Sequence, residues 1–323
     1  MKPLNIVDLH CDTLMELYLK KTDLRQWQGH INLEKLQKGG CMVQSFAVFI
    51  PTHQSAERNG VTDDPYTYFN NVADVFDREM AANADIIRPV RCVADIEKNI
   101  KDGKLSGLLT IEDSVALDGK IERVKEFYDR GVRMMSLTWN YENCVGYPCK
   151  DDPKEHMLGL KPFGLEAVAK MDELGIIVDV SHLSEGGFWD IIKHGKKPFA
   201  ASHSCARALM NHRRNLTDEQ LKALGEKGGI CGVNFYNCFL QPDDDVYTTV
   251  DHLVQHMKHI ADKAGIEAVA LGSDFDGIND KLEFKDYAGM TQIADAVEKA
   301  FGGAAADKIC HGNALRLFKD VIG

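Results

Sequence analysis

Five residues near the amino terminus, Asp8-Leu9-His10-Cys11-Asp12, bring together side chains that bind divalent metals. They follow the apolar run 4–7, which reads as a strand. Residues i and i+2 of a strand share a face, so His10 and Asp12 point together while Leu9 and Cys11 turn back into the packing. An imidazole and a carboxylate so placed can seize a divalent cation. Asp8, one step earlier on the same face, is placed to orient an imidazole from behind. A lone H-x-D triplet is equally well a strand end with a polar cap, so the reading depends on ligands found elsewhere.

Seven further apolar runs supply them. The segments 41–50, 104–112, 132–138, 176–182, 198–203, 229–235 and 268–274 all read as strands. At their carboxyl ends stand Glu112, His182, His203 and Asp274. Five of the eight strands therefore end in a metal-ligand type. The count suits two cations. His10, Asp12 and Glu112 serve one, Glu112, His182 and His203 the other, with Glu112 bridging through its two oxygens. A catalytic zinc takes three protein ligands and keeps a position for water. Two ions about 3.5–4 Å apart can share a hydroxide and polarise a carbonyl, which is hydrolytic chemistry.

The elements that would carry these residues alternate strand with helix. Amphipathic helices are expected over 13–21, 65–83, 121–129, 163–174, 184–193, 217–227 and 250–264, with two more closing the chain. Thr217 and Gln220 form a capping box. A long polar segment, 139–162, reads as a lid or a dimer contact. Eight strands in alternation with helices, and no linker of domain scale, predict a single (β/α)8 TIM-type barrel of the metal-dependent hydrolase kind over 1–323. A doubly wound sheet would carry a glycine-rich turn after the first strand, and 8–13 holds no glycine. In a barrel, the carboxyl ends of the strands are where the active site lies.

Composition narrows the partners. A formal net charge of -11 argues against nucleic acid and anionic membranes. No run approaches the length of a membrane span, and no basic segment with an apolar core opens the chain. Nine scattered cysteines without a C-x-x-C pair read as reduced core thiols, so a cytoplasmic location is expected. Weaker candidates are His252, His256 and His259, read as a solvated helix face; Asp243-Asp244-Asp245, an exposed acidic turn; and Ser181 and Ser202, which sit in no nucleophile elbow.

In several ordered stretches the chain resembles the membrane (renal) dipeptidase family of zinc metallopeptidases and its bacterial members. The stretches are D-L-H-C-D at 8–12, I-E-D-S at 111–114, G-L-K-P-F-G at 159–164, D-V-S-H ending at His182 and A-S-H-S-C-A around His203. R-N-L at 214–216, V-N-F-Y at 233–236, G-S-D-F-D-G at 272–277 and the terminal G-N-A-L-R-L-F continue the pattern. The resemblance implies a barrel with two Zn2+ ions on His10, Asp12, Glu112, His182 and His203, a dipeptide substrate and a homodimer. It implies that Arg214 binds the substrate carboxylate, and that Asp274 holds the amino group or shuttles the proton to the leaving amine. Asp276 is a rival for Asp274, and Tyr236 either lines the pocket or packs in the core. Mammalian members carry a histidine after the Leu-Thr of the fourth strand, where this chain has Trp139 and Asn140. Trp139, Asn140 or a zinc then takes the oxyanion role, or preference and rate differ. The expected reaction is hydrolysis of dipeptides, with room for a D-residue in second place. The alternative is a binuclear amidohydrolase acting on a cyclic amide, lactam or N-acyl amino acid. A phosphoesterase or a metal-binding scaffold fits less well.

Overall fold

The computed structural model describes residues 5–242, 247–279 and 281–323. The first four residues and the acidic turn expected at Asp243, Asp244 and Asp245 lie outside the described residues. Nine strands form one parallel sheet: β1 (Ile6–Asp8), β2 (Cys41–Phe49), β3 (Ile87–Val90), β4 (Leu105–Glu112), β5 (Val132–Ser136), β6 (Ile177–Asp179), β7 (Ala200–Ser204), β8 (Ile230–Val233) and β9 (Val269–Leu271). Pairing of β2 with β4, in register from Val43↔Ser106 to Phe49↔Glu112, and of β1 with β9 closes eight of them into a (β/α)8 barrel. The ninth, β3, pairs with the first half of β4, and β5 takes over that edge from Leu109 onward.

β3 is absent from the strands expected above. It has four residues, one of them Pro89, and a proline inside a short run argues against a strand. Its pairing on an edge at the barrel's lower rim accommodates that residue. The other eight fall on the expected runs. The helices Pro65–Ala82, Glu122–Arg130, Pro162–Leu174, Glu185–His194, Asp218–Glu226 and Val250–Ala264 fall where the periodicity puts them. Thr217 accepts the Gln220 amide at 3.2 Å while Gln220 accepts that of Thr217 at 2.9 Å, the expected capping box. The helices Leu33–Lys38, His53–Asn59 and Val93–Lys101 are absent from the expected set.

The barrel interior is apolar below and polar above. Val7, Val43, Leu108, Met134, Ile177, Ala200, Ile230 and Ala270, one from each barrel strand, join Leu317 and Phe318 of the terminal helix Asn313–Val321 in one buried cluster. That helix plugs the bottom. Two residues further along the strands the inward positions are Ser45, Thr110, Ser136, Asp179 and Ser202, all buried. Leu9 and two glycines, Gly232 and Gly272, complete this layer. A Cβ on either glycine would stand 2.1 or 1.8 Å from the Ser202 carbonyl oxygen, so both strands need glycine there. Six of the nine cysteines are buried, as expected of packing thiols. No helix among the described residues is long and apolar enough to cross a membrane.

Candidate active site

The strand ends bring the expected residues into one buried cluster. His10 and Asp12 follow β1, Glu112 ends β4, His182 follows β6, His203 lies in β7 and Asp274 follows β9. Glu112 divides its carboxylate between two sets of donors. Its Oε1 lies 2.9 Å from His182 Nε2 and 3.5 Å from His203 Nε2, and its Oε2 lies 3.5 Å from His10 Nε2. His10 Nε2 is also 3.5 Å from Asp12 Oδ2 and 3.9 Å from Asp274 Oδ1. All five side chains other than Asp274 are 9% exposed or less, so water does not compensate their charges.

The backbone bends to point two of them inward. His182 and Asp274 adopt φ of 67° and 61°, the left-handed region that non-glycine residues avoid at a cost of about 1 kcal/mol or more. Hydrogen bonds hold the bends: Cys149 N–H donates to the His182 carbonyl at 2.7 Å, and Asp274 N–H donates to the His10 carbonyl at 3.1 Å. Gly277 passes so close that a Cβ there would lie 2.0 Å from Asp12 Oδ2 and 2.6 Å from Asp274 Oδ1.

The hydrogen-bond network sets the imidazole tautomers. Ser202 Oγ donates its one proton to Asp179 Oδ2 at 2.5 Å, so at 2.7 Å it accepts from His203 Nδ1–H. Asp179 Oδ1 is fixed in turn by the Ser181 and Ser202 amides at 2.9 and 2.8 Å. His182 Nδ1 donates to Asn140 Oδ1 at 3.1 Å. Each ring therefore presents a bare Nε2 lone pair, and the two nitrogens face each other at 3.1 Å beside a carboxylate oxygen. Burial holds both rings neutral, His182 down to about 4 and His203 well below its usual value. Two lone pairs and an anion repel unless a cation lies between them. His10 Nε2 and Asp12 Oδ1 are buried with no hydrogen-bond partner. Burial opposes charge on His10, but Glu112 and Asp12 outweigh it and raise the imidazole well above its usual value. Burial and Glu112 push Asp12 up to about 8. The two donor sets facing Glu112 fit divalent cation binding.

Arg214 is buried at 6% exposure, whereas its neighbour Arg213 is paired with Asp151 at 2.7 Å. Its guanidinium donates to the His203 carbonyl at 3.2 Å and reaches Ser204 Oγ at 3.5 Å, over the Phe239 ring. Among the described residues no carboxylate pairs with it, and its Nε has no partner. A buried guanidinium without an anion is costly, so this fork awaits one.

The model of the membrane dipeptidase family, Peptidase family M19, matches residues 1–322. The chain belongs to this family of metallopeptidases. An uncharacterized protein of the pqqA 5′ region of Klebsiella pneumoniae is 34% identical over 270 residues, covering 81% of this chain and 98% of that one. An uncharacterized dipeptidase of Schizosaccharomyces pombe is 31% identical, covering 86% of this chain and 70% of its own. Among solved structures, a Rhodobacter sphaeroides metallopeptidase bound to a phosphinate mimic of L-Ala-D-Ala superposes with a TM-score of 0.90 at 24% identity, covering 99% of this chain and 100% of that one. An M19 dipeptidase superposes at 0.88 with 25% identity over the whole of both chains.

Within this M19 frame, some expected roles move. Asp8 orients no imidazole. It accepts the Ser273 hydroxyl at 2.6 Å and amide at 2.8 Å, and burial lifts it to about 6. Asp276 faces away from the cluster and accepts from Thr13 Oγ1 at 2.7 Å, Trp27 Nε1 at 3.1 Å and the His30 amide at 2.6 Å. It ties the 27–30 strap to the barrel, which separates it from Asp274. The Asn140 side chain is engaged by His182, and Trp139 packs edge-on against Phe49 at 4.8 Å. Tyr236 stacks edge-on against Phe239 at 4.9 Å, next to Arg214. His256 is buried rather than solvated. It accepts the Ala206 amide at 3.1 Å and donates to the Leu240 carbonyl at 3.0 Å, while His259 pairs with Asp218 at 2.7 Å.

Three roles escaped the sequence reading, which met Ser202 only as a serine outside any nucleophile elbow. Asp179 and Ser202 act one shell behind His203, and Asn234 donates to Asp274 Oδ2 at 2.9 Å. Their signal was the inward strand period: Asp179 precedes Ser181 by two residues, and Ser202 abuts His203.

Proposed function

We propose that the protein is a dizinc dipeptidase that hydrolyses the peptide bond of dipeptides, including those with a D-residue in second place. The observation that supports it most is Glu112 shared between two facing donor sets beside a buried guanidinium that lacks an anion. Bound at those donors, two divalent cations supply Lewis acidity toward the scissile carbonyl and an activated water; zinc suits the mix of imidazole and carboxylate.

The chain's own residues supply the rest. Glu112, His10, Asp12, His182 and His203 hold the reacting centre. Arg214 offers a planar fork to the terminal carboxylate. Asp274 sits 3.9 Å from His10 Nε2 with its other oxygen held by Asn234. A carboxylate so placed can take a proton and pass it to the departing amine. Gripping both charged ends of a two-residue substrate would exclude longer chains, whose termini fall elsewhere. The phosphinate dipeptide mimic in the Rhodobacter sphaeroides enzyme supports the D-residue in second place. With this reading go one catalytic domain over 1–323, a homodimer and a cytoplasmic location, which rest on the sequence and the family.

The test is kcat/KM over matched L-L and L-D dipeptides, with an N-acylated and a cyclic control, before and after chelation. Metal-dependent cleavage confined to free dipeptides is expected. Preference for the acylated or cyclic compounds would replace this reading by an amidohydrolase. Hydrolysis that survives exhaustive chelation would falsify it.

A further inference from the structure

Around the barrel mouth, polar side chains gather on one arc, with Tyr236 and Phe239 beside them, and a second aromatic pair stands on the other. Arg214, Asn234 and Asp274 follow β7, β8 and β9. On the opposite arc, Phe49 ends β2 and Trp139 follows β5. Phe49 is in register with Glu112, and parallel partners in register turn their side chains to the same side of the sheet. Phe49 thus shares the side of the sheet from which Glu112 reaches the cluster. The Trp139 indole meets the Phe49 ring edge-on at 4.8 Å and lies 6.2 Å from the His182 ring. Phe49 is 5% exposed, but Trp139 is only half-buried, so part of an indole stays open next to a polar reacting centre. A core tryptophan would be covered. One open at a site's rim is suited to an apolar group of the ligand.

The direction of the substrate assigns that group. This step rests on the reading above, with Arg214 at the carboxylate, and takes Asp274, the one carboxylate of the cluster outside the proposed metal set, as the acceptor of the amino group. With the scissile carbonyl at Glu112, the first residue's Cα lies between Asp274 and Glu112. Passing round the ring from β9 through β1, the next strand end is that of β2, which carries Phe49. The second residue lies by Arg214, whose guanidinium stands over Phe239 on the β7–β8 arc. We propose that Phe49 and Trp139 form the pocket for the side chain of the N-terminal residue, and that the enzyme selects dipeptides whose first residue is large and apolar.

The experiment uses the full-length zinc-loaded protein. One dipeptide series varies the first residue through Gly, Ala, Leu and Phe over a fixed second residue, and a mirror series varies the second. A hydrophobic pocket is expected to favour Leu or Phe over Gly in first place by about tenfold or more in kcat/KM. In Trp139→Ala the Phe-to-Gly ratio is expected to fall about tenfold, with Trp139→Leu in between and Trp139→Phe within about threefold of wild type. Thermal melts establish that each variant is folded, and the graded series keeps the test alive if the alanine variant is not. A flat first-residue series in an active enzyme overturns this pocket alone. So does a Trp139 effect that scales every substrate equally, or one that appears only in the second-residue series. Absence of any dipeptide hydrolysis overturns both readings.

Discussion

A histidine donates to a metal only through a nitrogen without a proton, so the proton on its other nitrogen must be held in place. For His203 that falls to Ser202, whose hydroxyl is itself aligned by Asp179. Removing the hydroxyl frees the ring to rotate or to change tautomer, and such outer partners are typically worth about 10–100-fold in metal affinity. On the proposed dizinc reading, Ser202→Ala is therefore expected to weaken the ion held with His182 by roughly that factor and to spare the ion at His10 and Asp12. Competition with a chromophoric chelator would show one tight and one weak equivalent. Ser202→Thr, which keeps the hydroxyl, should restore the second. Equal weakening of both ions, or of neither, would remove the relay from the site. Arg214 invites the opposite kind of test. On the proposed reading its charge serves the substrate, not the fold, so Arg214→Met is expected to leave stability unchanged or raise it by about 1 kcal/mol while kcat/KM falls at least about 100-fold. A large loss of stability would mean that the guanidinium is structural.

At the scale of elements, the turn that carries Arg207 to Arg214 leaves β7 under the control of one buried histidine. His256, on the helix Val250–Ala264, accepts from Ala206 N–H and donates to Leu240. A second ring proton would face the Ala206 N–H, and burial depresses this imidazole from 6.5 to about 4. The folded state thus refuses a proton that the unfolded chain accepts below pH 6.5. Stability is full above that value and is lost as pH falls toward 4, by on the order of 3 kcal/mol. His256→Gln, which keeps a donor without titrating, should flatten the slope of Tm against pH between 6.5 and 4. An unchanged slope would locate the acid sensitivity elsewhere. This histidine also marks where the sequence was legible. Long apolar runs fixed eight strands, and strand ends in a barrel converge, so the ligand types at those ends were readable without coordinates. β3, short and proline-bearing, had no such pattern. Which of His252, His256 and His259 turns inward depends on what the helix packs against, and that is tertiary information. The same holds for Asp274 and Asp276, two residues apart in one motif with φ of 61° and 65°, of which one meets Asn234 and the other Thr13, Trp27 and His30.

Across the whole molecule, the donors come from four strand ends of a closed ring, β1, β4, β6 and β7, and β9 adds Asp274. Below them the ring is locked by an apolar layer and a helix plug, but at the mouth like lone pairs and carboxylates push apart. Cations there would turn the least stable end of the barrel into a cross-link. A ligand present at about 1,000 times its Kd stabilises the folded state by about 4 kcal/mol per site. For a chain of this size, two such sites correspond to a rise in Tm on the order of 10 °C or more. Calorimetry of chelated and zinc-reloaded protein should show that rise in the wild type and about two-thirds to four-fifths of it in Ser202→Ala. In Glu112→Gln, where the shared carboxylate no longer carries its charge, most of it should vanish. Arg214→Met, which touches the substrate end alone, should keep the whole shift. A reloaded wild type that melts with its chelated form at saturating zinc would leave the repulsion at the mouth without its counter-charge, and the two-cation centre with it.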